Sequence, residues 1–325
     1  MKLIITVDTE RDNEWKRPDS TSLENIKFLQ RFQDLCQKYG FKPTYLLTYE
    51  VASDPQSVKI LKAYQEKLQA EIGAHLHPWT SPPFEQERSW EDKVHRFPHE
   101  LSDKELRDKM AVLTQTIIDN FGIRPKSFRA GRWGFDARVA RELIRQNYIV
   151  DCSVTPKISW QKTKGDPQGQ GGPDYRFFRA QPYFVSPQDI NEVGHSALLE
   201  VPMTILFTGL FKKENNFLHN IILRWPESFV KKVVNRLFFR LKWLRIFPNS
   251  KPSDFKRIYK AAKKNSLPVL EFMIHSSELM PGGSPYAKDE EQVDKIYHNL
   301  EAMLAYFKKQ GVKGTTLSEF YYDFK

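Results

Sequence analysis

The chain has 325 residues, 40% hydrophobic and 28% charged, a balance that excludes a disordered polymer and suits one large α/β domain or two ordinary ones. No run approaches the roughly 20 apolar residues that span a bilayer, and the apolar start at 3–7 meets Asp8 too early for a secretory core segment. The formal net charge of +10 points to an anionic partner without choosing among membrane, nucleic acid and acidic glycan.

In chain order, 3–7 reads as a strand ending in Asp8-Thr9-Glu10, and 23–38 as a helix with Ile26, Leu29, Phe32, Leu35 and Cys36 on one face. Residues 43–47 form a second strand, 58–68 a helix, and 70–74 a third strand that runs into His75-Leu76-His77-Pro78-Trp79. Ser102 and Glu105 make a capping box for a helix reaching about Phe121 and stopped by Gly122. Strands near 127–130 and 149–152 flank a helix over 136–145. A Gly/Gln/Asp-rich loop at 165–172 precedes a strand at 198–201, a basic helical region, a strand at 268–274 and a helix over 290–309. This rhythm predicts an α/β fold with a parallel sheet, open or closed into a barrel, in a single domain over 1–325. A basic amphipathic insertion is expected around 215–265. Cys36 and Cys152 lie in no metal or redox spacing, so a reducing, cytoplasmic compartment is expected.

In parallel α/β folds, functional groups gather at the carboxyl ends of strands. Four predicted strand ends carry such groups: Asp8 with Glu10, His75 with His77, Arg129, and His275. His75 and His77 alternate along a strand, so both imidazoles point to one side, as a zinc-type ion requires; the bland alternative is a pair of hydrogen-bonded loop histidines. Asp8 and Glu10 offer a general base and a carboxylate ligand, or merely a turn after a strand. Arg129 beside Asp8 would keep that carboxylate ionised, and the backbone at Arg132 and Trp133 could aim N–H groups at an oxyanion. His275 suits a general acid. Asp151 is placed to accept from His275 and set its tautomer, although capping explains it as well. Trp79, Trp133 and Trp160 are candidates for stacking on sugar rings or for core filling. The loop over 82–98 is a candidate cover, with His95 solvated.

The stretch 226–248 interleaves Val230, Val233, Val234, Leu237, Leu241 and Leu244 at helical spacing with Lys231, Lys232, Arg236 and Arg240. It reads as one helix, either covering the barrel with a solvated basic face or lying on an anionic membrane. No nucleic-acid motif is present, and none is expected as a partner.

With these residues in family order, the chain resembles the polysaccharide deacetylases, the NodB-homology carbohydrate esterases, and most closely the branch of lipopolysaccharide and exopolysaccharide biosynthesis. Thr6-Val7-Asp8-Thr9-Glu10, Glu71 to His77, Phe128-Arg129 to Gly134, the surroundings of Asp151 and His275-Ser276-Ser277 carry the likeness, with Leu199-Glu200-Val201-Pro202. Two departures stand out. Thr9 occupies the place of the family's second adjacent aspartate, so Glu10 or Asp8 becomes the acidic ligand. Trp79 occupies the usual position of the second histidine, and His77 comes two residues earlier. The resemblance implies a distorted, incomplete (β/α) barrel and a divalent metal, zinc foremost, held by Glu10, His75 and His77. It also implies deacetylation of an N- or O-acetylated glycan, free or lipid-linked, with Asp8 as base, His275 as acid, Arg129 and Asp151 behind them, and Trp79, Arg132 and Trp133 at the substrate. A glycoside hydrolase on a similar barrel and a non-catalytic carbohydrate binder are the rival readings.

Overall fold

The structure is a computed structural model and describes residues 1–16, 22–84, 90, 93–214 and 216–325. Its strands are β1 (Lys2–Thr9), β2 (Pro43–Leu47), β3 (Glu71–Leu76), β4 (Ser127–Ala130), β5 (Val150–Asp151), β6 (Tyr183–Phe184), β7 (Leu199–Glu200), β8 (Ile205–Phe207), β9 (Leu241–Trp243), β10 (Val269–His275) and β11 (Lys313–Gly314). The main sheet runs β10-β1-β2-β3-β4-β5-β7-β6, with β11 beside the start of β1. All pairings along it are parallel except β6 with β7. β8 and β9 form a separate antiparallel ribbon.

The alternation of side chains along β1 divides the interior. Leu3, Ile5 and Val7 face the large core under the helices. Ile4 faces a smaller apolar plug with Leu46, Val150, Leu199 and Val269, closed by Leu317 and Phe320 of the helix Leu317–Phe324. Above that plug, on the same face of β1, come Thr6 and Asp8, both buried. The barrel interior is thus apolar at the bottom and ionic at the carboxyl end. Register completes the arrangement: Asp8 stands opposite His275, and His75 opposite Arg129. Gly73, two residues before His75, is required by packing, since a Cβ there would lie 2.3 Å from Ser127 Oγ.

The helices Asp103–Phe121 and Glu290–Lys309 follow the sequence pattern, the first with its Ser102–Glu105 capping box and Gly122 at φ 71°. The helix predicted over 58–68 instead spans Pro55–Glu66, because Asp54 caps Ser57 and Pro55 suits the first turn. The single helix expected over 226–248 is corrected. Helical turns at Phe229–Val234 and Asn235–Phe239 end at Arg240 (φ 52°), and the chain then enters β9, where Leu241–Trp243 pair with β8. Pairing overrode the helical spacing of Leu237, Leu241 and Leu244. Among the described residues no helix is long and apolar enough to cross a membrane.

Candidate active site

A cavity of about 400 Å³ opens at the carboxyl end of the sheet, lined among others by Asp8, Glu10, His75, His77, Arg129 and His275. Its floor holds three candidate ligand atoms, from Glu10, His75 and His77, all within 4.8 Å of one another. Glu10 Oε2 is 3.7 Å from His75 Nε2 and 3.4 Å from His77 Nε2. These separations suit two donors joined through a common ion at bonds of about 2 Å. The His75 ring is oriented from behind: Nδ1 lies 3.0 Å from the Arg129 carbonyl, which can only accept, so the Nε2 lone pair faces the cavity. Burial depresses the basicity of both imidazoles, against the opposing pull of Asp8 at His75, and does so strongly at His77, where His75, His95, Arg11 and His275 add to the effect. Neutral imidazoles are the ligating form. The Glu10 backbone is tied beyond the strand end by Ser276 Oγ, which its N–H meets at 3.2 Å, and by Asn25 Nδ2, which donates to its carbonyl at 2.9 Å. Gly131 lets β4 approach this floor, since a Cβ there would lie 2.7 Å from His77 Cδ2. One carboxylate and two imidazoles form a donor set suited to zinc and its neighbours.

Below the floor lies an ionic layer centred on Arg129. Its Nη1 donates to Asp8 Oδ1, its Nη2 to Thr6 Oγ1 (2.8 Å) and Glu271 Oε1 (2.7 Å), and its Nε to the Cys152 carbonyl (3.1 Å). Burial alone would raise the Asp8 carboxyl, but Arg129, His75 and His275 outweigh it and hold it below the usual range. Asp8 Oδ2 remains 3.8 Å from His75 Nε2 and 3.9 Å from His275 Nε2. Glu10 behaves oppositely: burial, then Glu14, Asp8 and Glu50, push its carboxyl well up. Within this cluster Asp8 stays ionised by a fixed cation, whereas Glu10 has none and is the group that an added cation would stabilise.

Asp151 does not orient His275. Its carboxylate accepts from Ser153 N (2.9 Å) and Ser153 Oγ (2.8 Å) and faces Glu200. Glu278 takes the expected place, with Oε1 at 2.6 Å from His275 Nδ1. Trp79 lines the cavity, but its ring faces are covered by His77 and His95, both with centroids at 4.2 Å, and its indole N–H donates to Glu14 Oε1 at 2.7 Å. It supports the wall beside the candidate ligands, and no face remains for a sugar. His95, expected in solvent, is buried in that stack; the rest of the predicted cover over 82–98 lies partly outside the described residues, at 85–89 and 91–92. Arg132 reaches the rim, yet its guanidinium donates to the carbonyls of His95 and Lys164 and lies over Phe97. Trp133 remains at the cavity, stacked with Trp160 at 6.5 Å. Arg132 and Trp133 both take positive φ, 53° and 66°, a strained geometry typical of functional backbone.

Residues missed from sequence are Glu271, Glu278, Arg245, Trp15 and Tyr286. Glu278 carried a signal, three residues beyond His275 in what becomes a single turn, Ser276–Leu279. Trp15 meets His275 edge-on at 4.7 Å, and nothing in its local sequence marks it.

No protein-family model matches the chain, and neither does any curated protein. Solved structures do share its architecture. A proposed polysaccharide deacetylase from Mycobacterium smegmatis superposes with TM-score 0.56 at 9% identity, over 99% of this chain and 89% of that one. A proposed glycoside hydrolase/deacetylase from Parabacteroides distasonis gives 0.57 at 12%, over 98% and 70%. Puue allantoinase gives 0.54 at 14%, over 99% and 89%. At such identities the likeness is one of fold. The chain shares with these structures a curled, mostly parallel sheet wrapped by helices, the distorted, incomplete (β/α) barrel of NodB-homology type.

Proposed function

We propose that this protein is a metal-dependent hydrolase that removes acetyl groups from an acetylated sugar, an N-acetylated amino sugar foremost, in the assembly of a cell-surface polysaccharide or lipopolysaccharide. One observation carries the reading: Glu10, His75 and His77 converge on a cavity floor flanked by the carboxylate of Asp8 and the imidazole of His275. The likeness of fold to the M. smegmatis structure supports the same class.

A divalent ion held by Glu10, His75 and His77, zinc by donor preference, would supply Lewis-acid polarisation and acidify a water at neutral pH. The chain's own groups do the rest. Asp8, kept ionised by Arg129, accepts the proton of the attacking water. His275, protonated on both nitrogens with its Nδ1–H held by Glu278, delivers the Nε2 proton to the departing amine or sugar oxygen. The N–H groups of Arg132 and Trp133, held by the strained turn after β4, suit the developing oxyanion. Trp133, Trp160 and Trp15 offer aromatic surface at the rim for the sugar. The products are acetate and the deacetylated sugar.

The test is acetate release from a panel of N- and O-acetylated oligosaccharides by protein with its metal content measured. Acetate release that a chelator abolishes and metal restores supports the reading. Metal-loaded protein that releases no acetate overturns it, and new reducing ends would instead favour a glycoside hydrolase.

A further inference from the structure

The segment between β8 and the cavity carries an apolar, basic surface that the barrel does not use. Between 210 and 245, nine lysines and arginines stand against two glutamates, so this stretch holds +7 of the chain's formal +10. Of the sixteen exposed large hydrophobic side chains among the described residues, nine lie at 210–238. The helix Asn216–Arg224 packs Ile222 against Phe207 and Phe239. Phe217 and Ile221, one turn apart on another side of it, are 74% and 48% exposed. The helix Phe229–Val234 buries none of its residues, and Phe229 is 80% and the later Leu237 60% exposed. Lys213, Arg224, Lys232 and Arg236 are exposed in the same stretch.

We propose that this surface docks the protein on an anionic lipid bilayer. Short helices with aromatic and aliphatic rows, interleaved with cations, are built to lie at the headgroup boundary, the rings entering it and the cations meeting phosphate. An apolar patch of this extent marks an interaction surface. Its charge selects the occupant: a second copy in a two-fold pair would set +7 against +7, whereas an anionic lipid surface is complementary. The surface also leads to the site. β9 follows it directly, Trp243 meets the cavity-lining Trp160 at 6.3 Å, and Arg245 lines the cavity itself. Docking therefore holds the cavity near the membrane, the setting for a lipid-linked glycan. That consequence rests on the deacetylase reading; the docking does not.

The experiment is co-sedimentation of the full chain with vesicles of phosphatidylcholine, with and without phosphatidylglycerol. Wild type is expected to sediment only with the anionic vesicles. Phe217→Ser/Phe229→Ser/Leu237→Ser and Lys213→Glu/Lys232→Glu/Arg236→Glu are each expected to lose binding by about tenfold or more, with circular dichroism and melting temperature unchanged. Acetate release from a soluble oligosaccharide is read in parallel, so a failed catalytic reading is distinguished from failed docking. Wild type that ignores anionic vesicles, or an apolar triple variant that binds as wild type does, overturns the proposal. So does a wild-type dimer in light scattering that the same variant dissociates, which would assign the surface to self-association.

Discussion

Glu278 Oε1 lies 2.6 Å from His275 Nδ1, and Arg245 Nη2 donates to the same oxygen at 2.5 Å. Burial opposes ionisation of Glu278, but Arg245 and His275 outweigh it and hold its carboxyl below the usual range. Arg245 Nη2 also lies 2.9 Å from Nδ1, but the carboxylate makes the shorter contact and, being ionised, only accepts, so it holds the proton on Nδ1 and turns Nε2 to the cavity. Glu278→Gln keeps the shape and removes the charge. Its kcat for acetate release is expected to fall by about a hundredfold with KM little changed, because ring orientation and not sugar contact is lost. Unchanged kcat would remove Glu278 from this role.

A buried pair of carboxyls, Glu200 and Asp151, shifts in the opposite direction. Burial raises both Glu200 and Asp151, Glu200 strongly, and each also feels the other. A carboxyl raised in the folded state contributes stability that is full below its unfolded value, about 4.3, and declines as pH rises toward the folded value. In Glu200→Gln the amide oxygen can still accept from Val154 N, as Glu200 Oε1 does at 3.0 Å, and its NH2 can donate to Asp151. The variant is expected to melt above wild type at pH 8, with the gain shrinking toward pH 5. Parallel melting curves across that range would contradict the assignment.

Much of this was legible in the sequence, for a physical reason. Strands 43–47 and 127–130 and the helices over 103–121 and 290–309 carry strong periodicity or caps, and their predicted bounds coincide with the observed elements. His75 and His77 share a face because a strand alternates, which is a local rule. What escaped depends on pairing at a distance. β6 and β11 span two residues each, too short for any pattern, whereas the equally short β5 and β7 fall inside the strands expected over 149–152 and 198–201. β9 carries leucines that fit a helix, and only β8 across from it decides. Arg245 reaches Glu278 through that misread segment, so sequence alone offered Asp151 as the partner of His275.

Glu10 should reveal the metal site through stability as well as turnover. Its carboxyl is buried near Glu14, Asp8 and Glu50 and is pushed well up, so neutralising it relieves the fold without cation. In chelator, Glu10→Gln is expected to melt at or above the wild-type temperature. With zinc added, wild type should gain about 3 kcal/mol at a hundredfold excess over its dissociation constant, and the variant should gain little. Elemental analysis is expected to find metal in wild type and almost none in Glu10→Gln, His75→Ala or His77→Ala. Equal metal content in all four would place the ion elsewhere.

Lys109 anchors the strand end that bears His77. It is fully buried on the helix Asp103–Phe121, and its Nζ donates to the carbonyls of Pro78 (3.0 Å), Ser81 (2.7 Å) and Pro83 (2.7 Å). One ammonium thus gathers three acceptors of the turn that follows His77 and holds Trp79. Lys109→Met preserves most of the side-chain volume and leaves those carbonyls without their donor, at a cost of about 1–3 kcal/mol. The turn then loosens under the His77–Trp79–His95 stack, so metal affinity is expected to fall about ten- to a hundredfold, as for other groups that orient ligands from behind. Isothermal titration with zinc reads the affinity and urea unfolding the stability. Loss of stability with unaltered affinity would make Lys109 a structural anchor only.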